Sequence, residues 1–166
     1  DGGVLSNQAI HHLDIMLWLM GKVKKLSSFY KTQLAKIECE DTIAINFEFK
    51  NGALGVFEAT TAFRPKDKEA SICIMGEKGY IEIGGKSLNE IKSYEIKKFS
   101  ENLNKYDEKI KDLYGNGHIA LYDEIINKIK SKKNTITVKF DSIYYLIKIL
   151  EQAYKSAKAN KVLLFK

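Results

Sequence analysis

The sequence predicts an α+β fold in which a run of antiparallel strands is preceded by one helix and followed by two. Its 166 residues are the length of one ordinary domain. Strand-like segments follow one another through the middle of the chain instead of alternating with helices, which disfavours a parallel βαβ sheet. The pair Asn51-Gly52, the strongest short hairpin signal, separates two of these segments. We therefore expect a single domain over residues 1–166.

The composition is that of a globular protein. Hydrophobic residues make up 45% of the chain and charged residues 29%, which excludes a disordered or fibrous protein. The longest apolar run, Ile15–Met20, is far too short for a membrane span. The first residues lack the charged and apolar regions of a signal peptide, so none is expected. The two cysteines, Cys39 and Cys73, form neither a CxxC pair nor a disulfide framework. We expect a cytoplasmic protein with no metal site and no membrane partner.

The basic residues argue against recognition of a specific nucleic acid. The net charge is +6, yet Arg64 is the only arginine among 27 basic residues. Proteins that read nucleic acids depend on arginine for bidentate contacts with bases and phosphates. A lysine excess spread over the whole chain is typical of a solvated surface, so no specific nucleic-acid partner is expected.

The first predicted helix runs from Asn7 to Met20. Asn7 is the expected N-cap and Gly21 the expected stop. The apolar positions recur at helical spacing, and they are Ile10, Leu13, Leu17 and Met20.

Three strands are expected next. Apolar and polar residues alternate almost perfectly in the second of them. Its apolar face consists of Ile43, Ile45, Phe47 and Phe49. The strands are Val23 to Thr32, Asp41–Lys50 and Ala53–Phe63.

The second and third strands are predicted to form a hairpin whose two-residue loop pairs Lys50 with Ala53. Leu54 and Val56 would then join the large apolar face, and Glu58 would lie there as a structural partner of a basic residue. The opposite face would be mostly small, with Ala44, Ala53, Gly55, Phe57 and Ala59. We infer a sheet covered by helices on one face and by another subunit on the other. The alternative is a plain surface of small strand-forming residues.

The remaining segments complete the antiparallel run and add two helices. Residues 100–116 are polar and are predicted to be largely irregular. Further strands are predicted at Ala70–Met75, Tyr80–Ile83, Ile91–Phe99 and, as a short edge strand, Val162–Phe165. Amphipathic helices are predicted at Gly117–Ser131 and Ser142–Ala159.

A polar cluster opens the first helix, which is otherwise apolar. It contains Asn7, Gln8, His11 and His12. Residues four apart share a helical face, so Asn7 lies with His11 and Gln8 with His12. The two histidines point about 100° apart and cannot easily share one metal. Histidine is the side chain best suited to proton transfer near neutral pH. The alternative, an exposed helix start without chemistry, is equally compatible with the pattern.

Arg64 is the second candidate. It ends the third strand, beside the only proline, Pro65. Its planar guanidinium suits a carboxylate or a phosphate, although a chance surface arginine is an equally good interpretation. No Gly-x-Gly-x-x-Gly segment follows a predicted strand, so no dinucleotide site is expected in this chain.

The stretch Gly2–Asp14, which reads Gly-Gly-Val-Leu-Ser-Asn-Gln-Ala-Ile-His-His-Leu-Asp, resembles the start of the C-terminal domain of the glucose–fructose oxidoreductase and inositol dehydrogenase family. The same family is resembled at Glu40-Asp41-Thr42, Asn51–Gly55 and Gly76–Gly79. Glu58–Pro65, with Ile81–Gly85, is most similar to its nucleotide-sugar branch. Those enzymes oxidise the 3-hydroxyl of UDP-N-acetylglucosamine or its uronate with NAD.

The resemblance implies one half of a two-domain dehydrogenase. NAD or NADP and a catalytic lysine would belong to an N-terminal Rossmann domain outside this chain, so the chain alone is expected to be inactive. This half would supply a large open, mainly antiparallel sheet with helices on one face, as in the C-terminal domain of dihydrodipicolinate reductase. It would bind the sugar substrate and self-associate through the sheet face.

The resemblance also assigns roles to the candidate residues. His11 matches the catalytic histidine, and Asn7 occupies a position that is often Asp in relatives. Gln8, His12 and Arg64 become candidates for substrate contact. Whether His11 or the lysine outside the chain is the main base stays open, as does the alternative of a non-catalytic binding or scaffold domain.

Overall fold

The computed structural model of the protein describes residues 2–66, 68–110, 115–133 and 139–165. These residues divide into two compact units. The first unit contains the described residues up to 66 and from 139 onward, and the second contains those from 68 to 133.

The secondary structure is mixed, with antiparallel sheets and helices. In chain order the elements are a π-helical turn (Leu5–Ala9), α1 (Ile10–Met20), β1 (Val23–Lys31), β2 (Thr42–Phe49), β3 (Leu54–Thr60), β4 (Ile72–Gly76), β5 (Gly79–Gly84), β6 (Glu90–Ile96), a 3₁₀ turn (Leu103–Tyr106), α2 (Gly117–Lys130), α3 (Phe140–Ala159) and β7 (Leu163–Leu164).

The first helix begins earlier than the sequence predicts. Val4 already has helical φ and ψ angles, and Asn7 lies inside the π turn, where its N–H donates to the Gly3 carbonyl at 3.1 Å. The prediction that Asn7 is an N-cap is therefore wrong. A distant residue, Glu40, satisfies the first amides instead, so no local cap is needed. The predicted stop is confirmed, because Gly21 ends α1 at φ 83° and its N–H donates to Leu17.

The core of the first unit lies between one face of a four-stranded sheet and two helices. The strand order is β3-β2-β1-β7, with antiparallel neighbours throughout. The apolar alternation of β2 faces inward as predicted. The buried side chains include Leu13 and Leu17 of α1, Val23 and Leu26 of β1, Ile43, Ile45, Phe47 and Phe49 of β2, and Leu146, Ile149 and Ala153 of α3.

The predicted register of the hairpin is wrong by one residue. Phe49 N donates to Ala53 O at 2.9 Å, and Leu54 lies opposite Glu48. The loop therefore has three residues, and its last residue, Gly52, has φ 90°. A left-handed glycine that closes a three-residue loop is a standard hairpin geometry. Because side chains alternate in a strand, this single extra residue turns every side chain of β3 to the other face.

The extra loop residue exposes large apolar side chains that were predicted to be buried. Leu54 and Val56 are 78% and 75% exposed, while Phe57 is buried in the core. Glu58 lies opposite Ala44 and is exposed, so its predicted place on the apolar face is also wrong. We call the outward side of the first sheet the open face; it carries the exposed apolar residues Phe29, Leu54 and Val56. Its side chains are therefore larger than the small residues that were expected there.

The second unit holds a three-stranded antiparallel sheet in the order β4-β5-β6, together with α2. These strands confirm the predicted ones with shifted ends, since the first begins at Ile72 instead of Ala70 and the last ends at Ile96 instead of Phe99. The polar stretch 100–116 contains the 3₁₀ turn, and its residues 111–114 lie outside the described part of the chain.

The α+β class with antiparallel sheets is confirmed. The two C-terminal helices and the edge strand are present with small shifts, since α3 starts at Phe140 and β7 pairs Leu164 with Lys25. Across the four described ranges, no helix combines the length and apolar character needed to cross a membrane.

Candidate active site

The predicted polar cluster lies at the junction of the π turn and α1. Asn7 and Gln8 belong to the π turn, and His11 and His12 to the first turn of α1. Asn7, Gln8 and His11 are exposed, whereas His12 is half-buried. Gln8 Nε2 donates to Asn7 Oδ1 at 3.2 Å. The four predicted residues therefore lie on one short helical segment, and three of them are exposed to solvent.

His12 is held in its neutral form. Burial lowers the pKa of its imidazole below the ordinary value, and the nearby His11 lowers it further, against a hydrogen bond to the Gln8 backbone that raises it. A neutral imidazole keeps one nitrogen as an acceptor. His12 can therefore accept a hydrogen bond at neutral pH but does not supply a positive charge.

Glu40 anchors the start of this segment. Its carboxylate is buried, with 3% of the residue exposed. Glu40 Oε1 accepts hydrogen bonds from Leu5 N at 3.0 Å and from Tyr154 Oη at 2.8 Å, and the Glu40 carbonyl accepts one from Val4 N. A Cβ on Gly3 would come within 1.7 Å of Glu40 Oε2, so the glycine leaves the room that the carboxylate fills.

Sequence reasoning missed this anchor. The contact between Leu5 and Glu40 spans 35 residues, and no local periodicity reports such a pairing. The pair Gly2-Gly3 directly before a helix was the available signal, because a glycine at such a place often marks a close approach of another group.

The neighbouring Asp41 fastens two further segments. Its carboxylate accepts backbone hydrogen bonds from Gln33, Leu34 and Ala35 at 2.7, 2.7 and 2.8 Å, and its carbonyl accepts one from Thr61 N at 2.8 Å. The dipeptide Glu40-Asp41 therefore holds the helix start, a surface loop and the end of β3 at one place.

Arg64 lies in the exposed segment that follows β3. Its Nη1 donates to the carbonyls of Thr61 and Phe63 at 3.1 and 2.8 Å. The described contacts of Arg64 are thus with its own loop and not with the polar cluster. The loop is nevertheless tied to Asp41 through Thr61, so both candidate segments leave from the same anchoring dipeptide.

The described part of the chain contains neither a metal-binding site nor a dinucleotide-binding site. No group of three or more His, Cys, Asp or Glu residues could hold a metal there. A dinucleotide pyrophosphate is held where a strand passes through a glycine-rich turn directly into a helix, and none of the described strands makes that connection. The described residues therefore do not fit a nicotinamide cofactor by themselves.

Comparison with known proteins places the chain in one family. Residues 1–164 match the model of the oxidoreductase family described as "C-terminal alpha/beta domain". A search of curated proteins gave no match. The structure is similar to that of the WlbA dehydrogenase from Bordetella pertussis, solved with NADH and UDP-GlcNAcA, at TM-score 0.89 and 28% identity over 100% of this chain and 49% of the other.

Two more solved structures are similar. For the WlbA dehydrogenase from Chromobacterium violaceum, also with NADH and UDP-GlcNAcA, the TM-score is 0.85 and the identity 32%, over 100% of this chain and 47% of the other. An oxidoreductase from Agrobacterium radiobacter shares the fold at TM-score 0.72 and 23% identity, over 97% and 48%. The chain spans about half the length of these structures. It belongs to the glucose–fructose oxidoreductase and inositol dehydrogenase family of oxidoreductases and represents that family's C-terminal α/β domain.

Proposed function

We propose that this chain is the substrate-binding half of an NAD(P)-dependent sugar oxidoreductase. The substrate would be a UDP-linked N-acetylhexosamine or its uronate, oxidised at the 3-hydroxyl. The observation that carries the proposal is the placement of Asn7 and His11 on an exposed helical segment whose start is fastened by a buried carboxylate. Similarity to two dehydrogenases solved with NADH and UDP-GlcNAcA supports the substrate class.

His11 is the proposed base on the substrate side. Its exposed imidazole accepts the proton of the sugar hydroxyl. A nicotinamide held by another domain of the whole protein supplies the hydride acceptor. Asn7, restrained by Gln8, orients the imidazole or the sugar. It carries no charge, so it does not favour the imidazolium form as a carboxylate would.

The remaining candidates bind the sugar nucleotide. The neutral His12 accepts a hydrogen bond from a sugar hydroxyl, and the Gln8 carboxamide can donate or accept one. Arg64 supplies the only guanidinium of the chain for the uronate or a phosphate. Its carbonyl contacts use Nη1 alone, and a guanidinium carries five N–H donors in a fork that matches such groups.

Self-association through the open face of the first sheet is part of the proposal. The face presents Leu54 and Val56 to solvent on β3 and Phe29 on β1, with β2 between the two strands. Clustered apolar residues on the outer face of a sheet mark an interaction surface. A second copy of the chain is the proposed occupant.

The decisive experiment assays the whole protein encoded by the gene. Purified enzyme is mixed with NAD or NADP and with UDP-N-acetylglucosamine or its uronate, and formation of the reduced nicotinamide is followed. His11→Ala should lower turnover by about a hundredfold or more. His118→Ala, which removes an exposed histidine of the second unit, is the matched control and should retain activity.

Two results would overturn parts of this assignment. Near wild-type turnover in His11→Ala would move the base to the lysine outside this chain. Failure of the wild-type protein to reduce either nucleotide with any nucleotide sugar would instead favour the scaffold alternative.

A further inference from the structure

We propose that Glu40 and Tyr154 are positioning residues, which hold the π turn in the register that sets the position of Asn7 relative to His11. This inference rests on the proposed function of those two residues. Glu40 and Tyr154 would not touch the substrate. They would act through the backbone of the turn.

The network is anchored at the first residue of the π turn. Leu5, which begins the turn, donates its N–H to Glu40 Oε1, and the preceding Val4 donates to the Glu40 carbonyl, both at 3.0 Å. At the other end, α1 is fixed by the buried Leu13 and Leu17. The register of the turn is therefore set between two fixed ends, one of which depends on a side chain from a different part of the fold.

The register of the turn depends on its π geometry and would change if the turn became α-helical. A π turn closes its hydrogen bond over one residue more than an α turn. Relaxation to an α turn would rotate the residues before Ala9 by about one residue's angle, about 100°. The position of Asn7 around the helix axis relative to His11 would then change. Single π turns of this kind occur preferentially at functional sites.

Tyr154 completes the anchor from α3. Its hydroxyl donates to Glu40 Oε1 at 2.8 Å, and its ring packs edge-on against Tyr30 with centroids 5.9 Å apart. Burial, together with the bond to Glu40, raises the pKa of the Tyr154 hydroxyl above its ordinary value. The hydroxyl therefore stays protonated and remains a donor throughout the working range. The same oxygen of Glu40 thus receives two donors, one from the turn and one from the core.

A matched pair of tyrosines on α3 tests the inference. Tyr145 lies on the same helix, and its hydroxyl accepts from Val23 N at 2.7 Å, at the start of β1. Tyr154→Phe and Tyr145→Phe each remove one half-buried hydroxyl, with its bond to Glu40 at 2.8 Å or to Val23 at 2.7 Å. The Tyr154 hydroxyl is also hydrogen-bonded to Ser6, which belongs to the π turn. Only Tyr154→Phe loosens the anchor of the π turn. Both variants are made in the whole protein.

The first readout is amide hydrogen exchange over residues 3–11, which does not depend on catalysis. Tyr154→Phe should speed exchange there by about tenfold or more, whereas Tyr145→Phe should speed it near Val23 and leave residues 3–11 unchanged. Equal protection of residues 3–11 in both variants and the wild type would overturn the proposal, whatever the enzyme's substrate proves to be.

The second readout is kinetic. Tyr154→Phe should lower kcat by roughly ten- to a hundredfold with KM nearly unchanged, as small misplacements of catalytic groups do. In an Asn7→Ala background the same change should cost much less, because the group that it positions is gone. Fully additive losses would show that Tyr154 acts through stability alone and would overturn the proposal. A normal turnover in His11→Ala would defeat the proposed function while leaving the exchange result to stand by itself.

Discussion

The Asp41 carboxylate accepts the backbone hydrogen bond of Leu34 at 2.7 Å, and a surface loop is folded around that contact. Gln33 and Ala35 donate to the same carboxylate. Because these amides favour the charged form, they hold the pKa of Asp41 well below its usual range. The loop therefore depends on one ionised side chain, which is next to Glu40 in the chain.

This depressed pKa predicts acid sensitivity of the fold. In the unfolded protein the Asp41 carboxylate is protonated at about pH 4, whereas in the folded protein it is protonated only at a lower pH. The stabilisation is complete above that pH and is lost as the pH falls toward the lower, folded pKa. Asp41→Asn should lower the melting temperature at neutral pH and flatten its decline in acid.

The control for this prediction is Glu48→Gln. Glu48 also has a lowered pKa, about 2, because its carboxylate binds Lys24 and Lys25, but its partners are exposed side chains and not backbone amides. Exposed ion pairs contribute little, so Glu48→Gln should change the melting temperature at neutral pH much less. Equal melting curves for Asp41→Asn and the wild type would contradict the stabilising role of the Asp41 carboxylate.

The hairpin shows where prediction from sequence succeeds and where it stops. The apolar alternation fixed the inward face of β2, and Asn51-Gly52 located the turn correctly. The length of the loop could not be read from the sequence, because hairpin loops of two and of three residues both use glycine. Leu54 and Val56 consequently lie on the exposed face of the sheet and not on the predicted buried face.

The candidate site divides in the same way. The polar cluster of Asn7, Gln8, His11 and His12 could be identified from the sequence, since its members are close neighbours along the chain. The role of Glu40 was invisible, because its partner Leu5 is 35 residues away and Tyr154 is more distant still. Local spacing identifies the candidate groups, whereas tertiary contacts determine which residues hold them in place.

Gly52 should be required for its conformation alone. It has φ 90°, and a Cβ would meet no atom within 4 Å. Gly52→Ala should therefore destabilise the protein by about 1–2 kcal/mol through left-handed backbone strain. Gly117→Ala is the matched control, because its Cβ also meets nothing within 4 Å but its φ is not positive. That change should be neutral or stabilising by about 0.4–1 kcal/mol. Urea unfolding measures both, and equal effects would refute the strain argument.

The exposed face of β3 should mediate assembly. Val56→Lys places a charge at a side chain that is 75% exposed, so the fold should be kept while a self-association surface is disrupted. The mass of the whole protein in solution, measured by light scattering, should fall. Ile129→Lys, at a position of α2 that is 71% exposed, is the control with the same added charge. An unchanged mass for Val56→Lys would remove this face from the interface.

Substitution of Arg64 should show which acidic group of a nucleotide sugar this residue binds. Arg64→Lys keeps the positive charge and a donor for the Thr61 and Phe63 carbonyls, but it loses the bidentate fork. KM should rise by about tenfold or more, the loss expected for a charged hydrogen bond, with kcat little changed. If the fork binds the uronate, the rise should be confined to the UDP-uronate. If it binds a phosphate, UDP-N-acetylglucosamine should be affected equally. An unchanged KM for both substrates would show that Arg64 serves only its own loop.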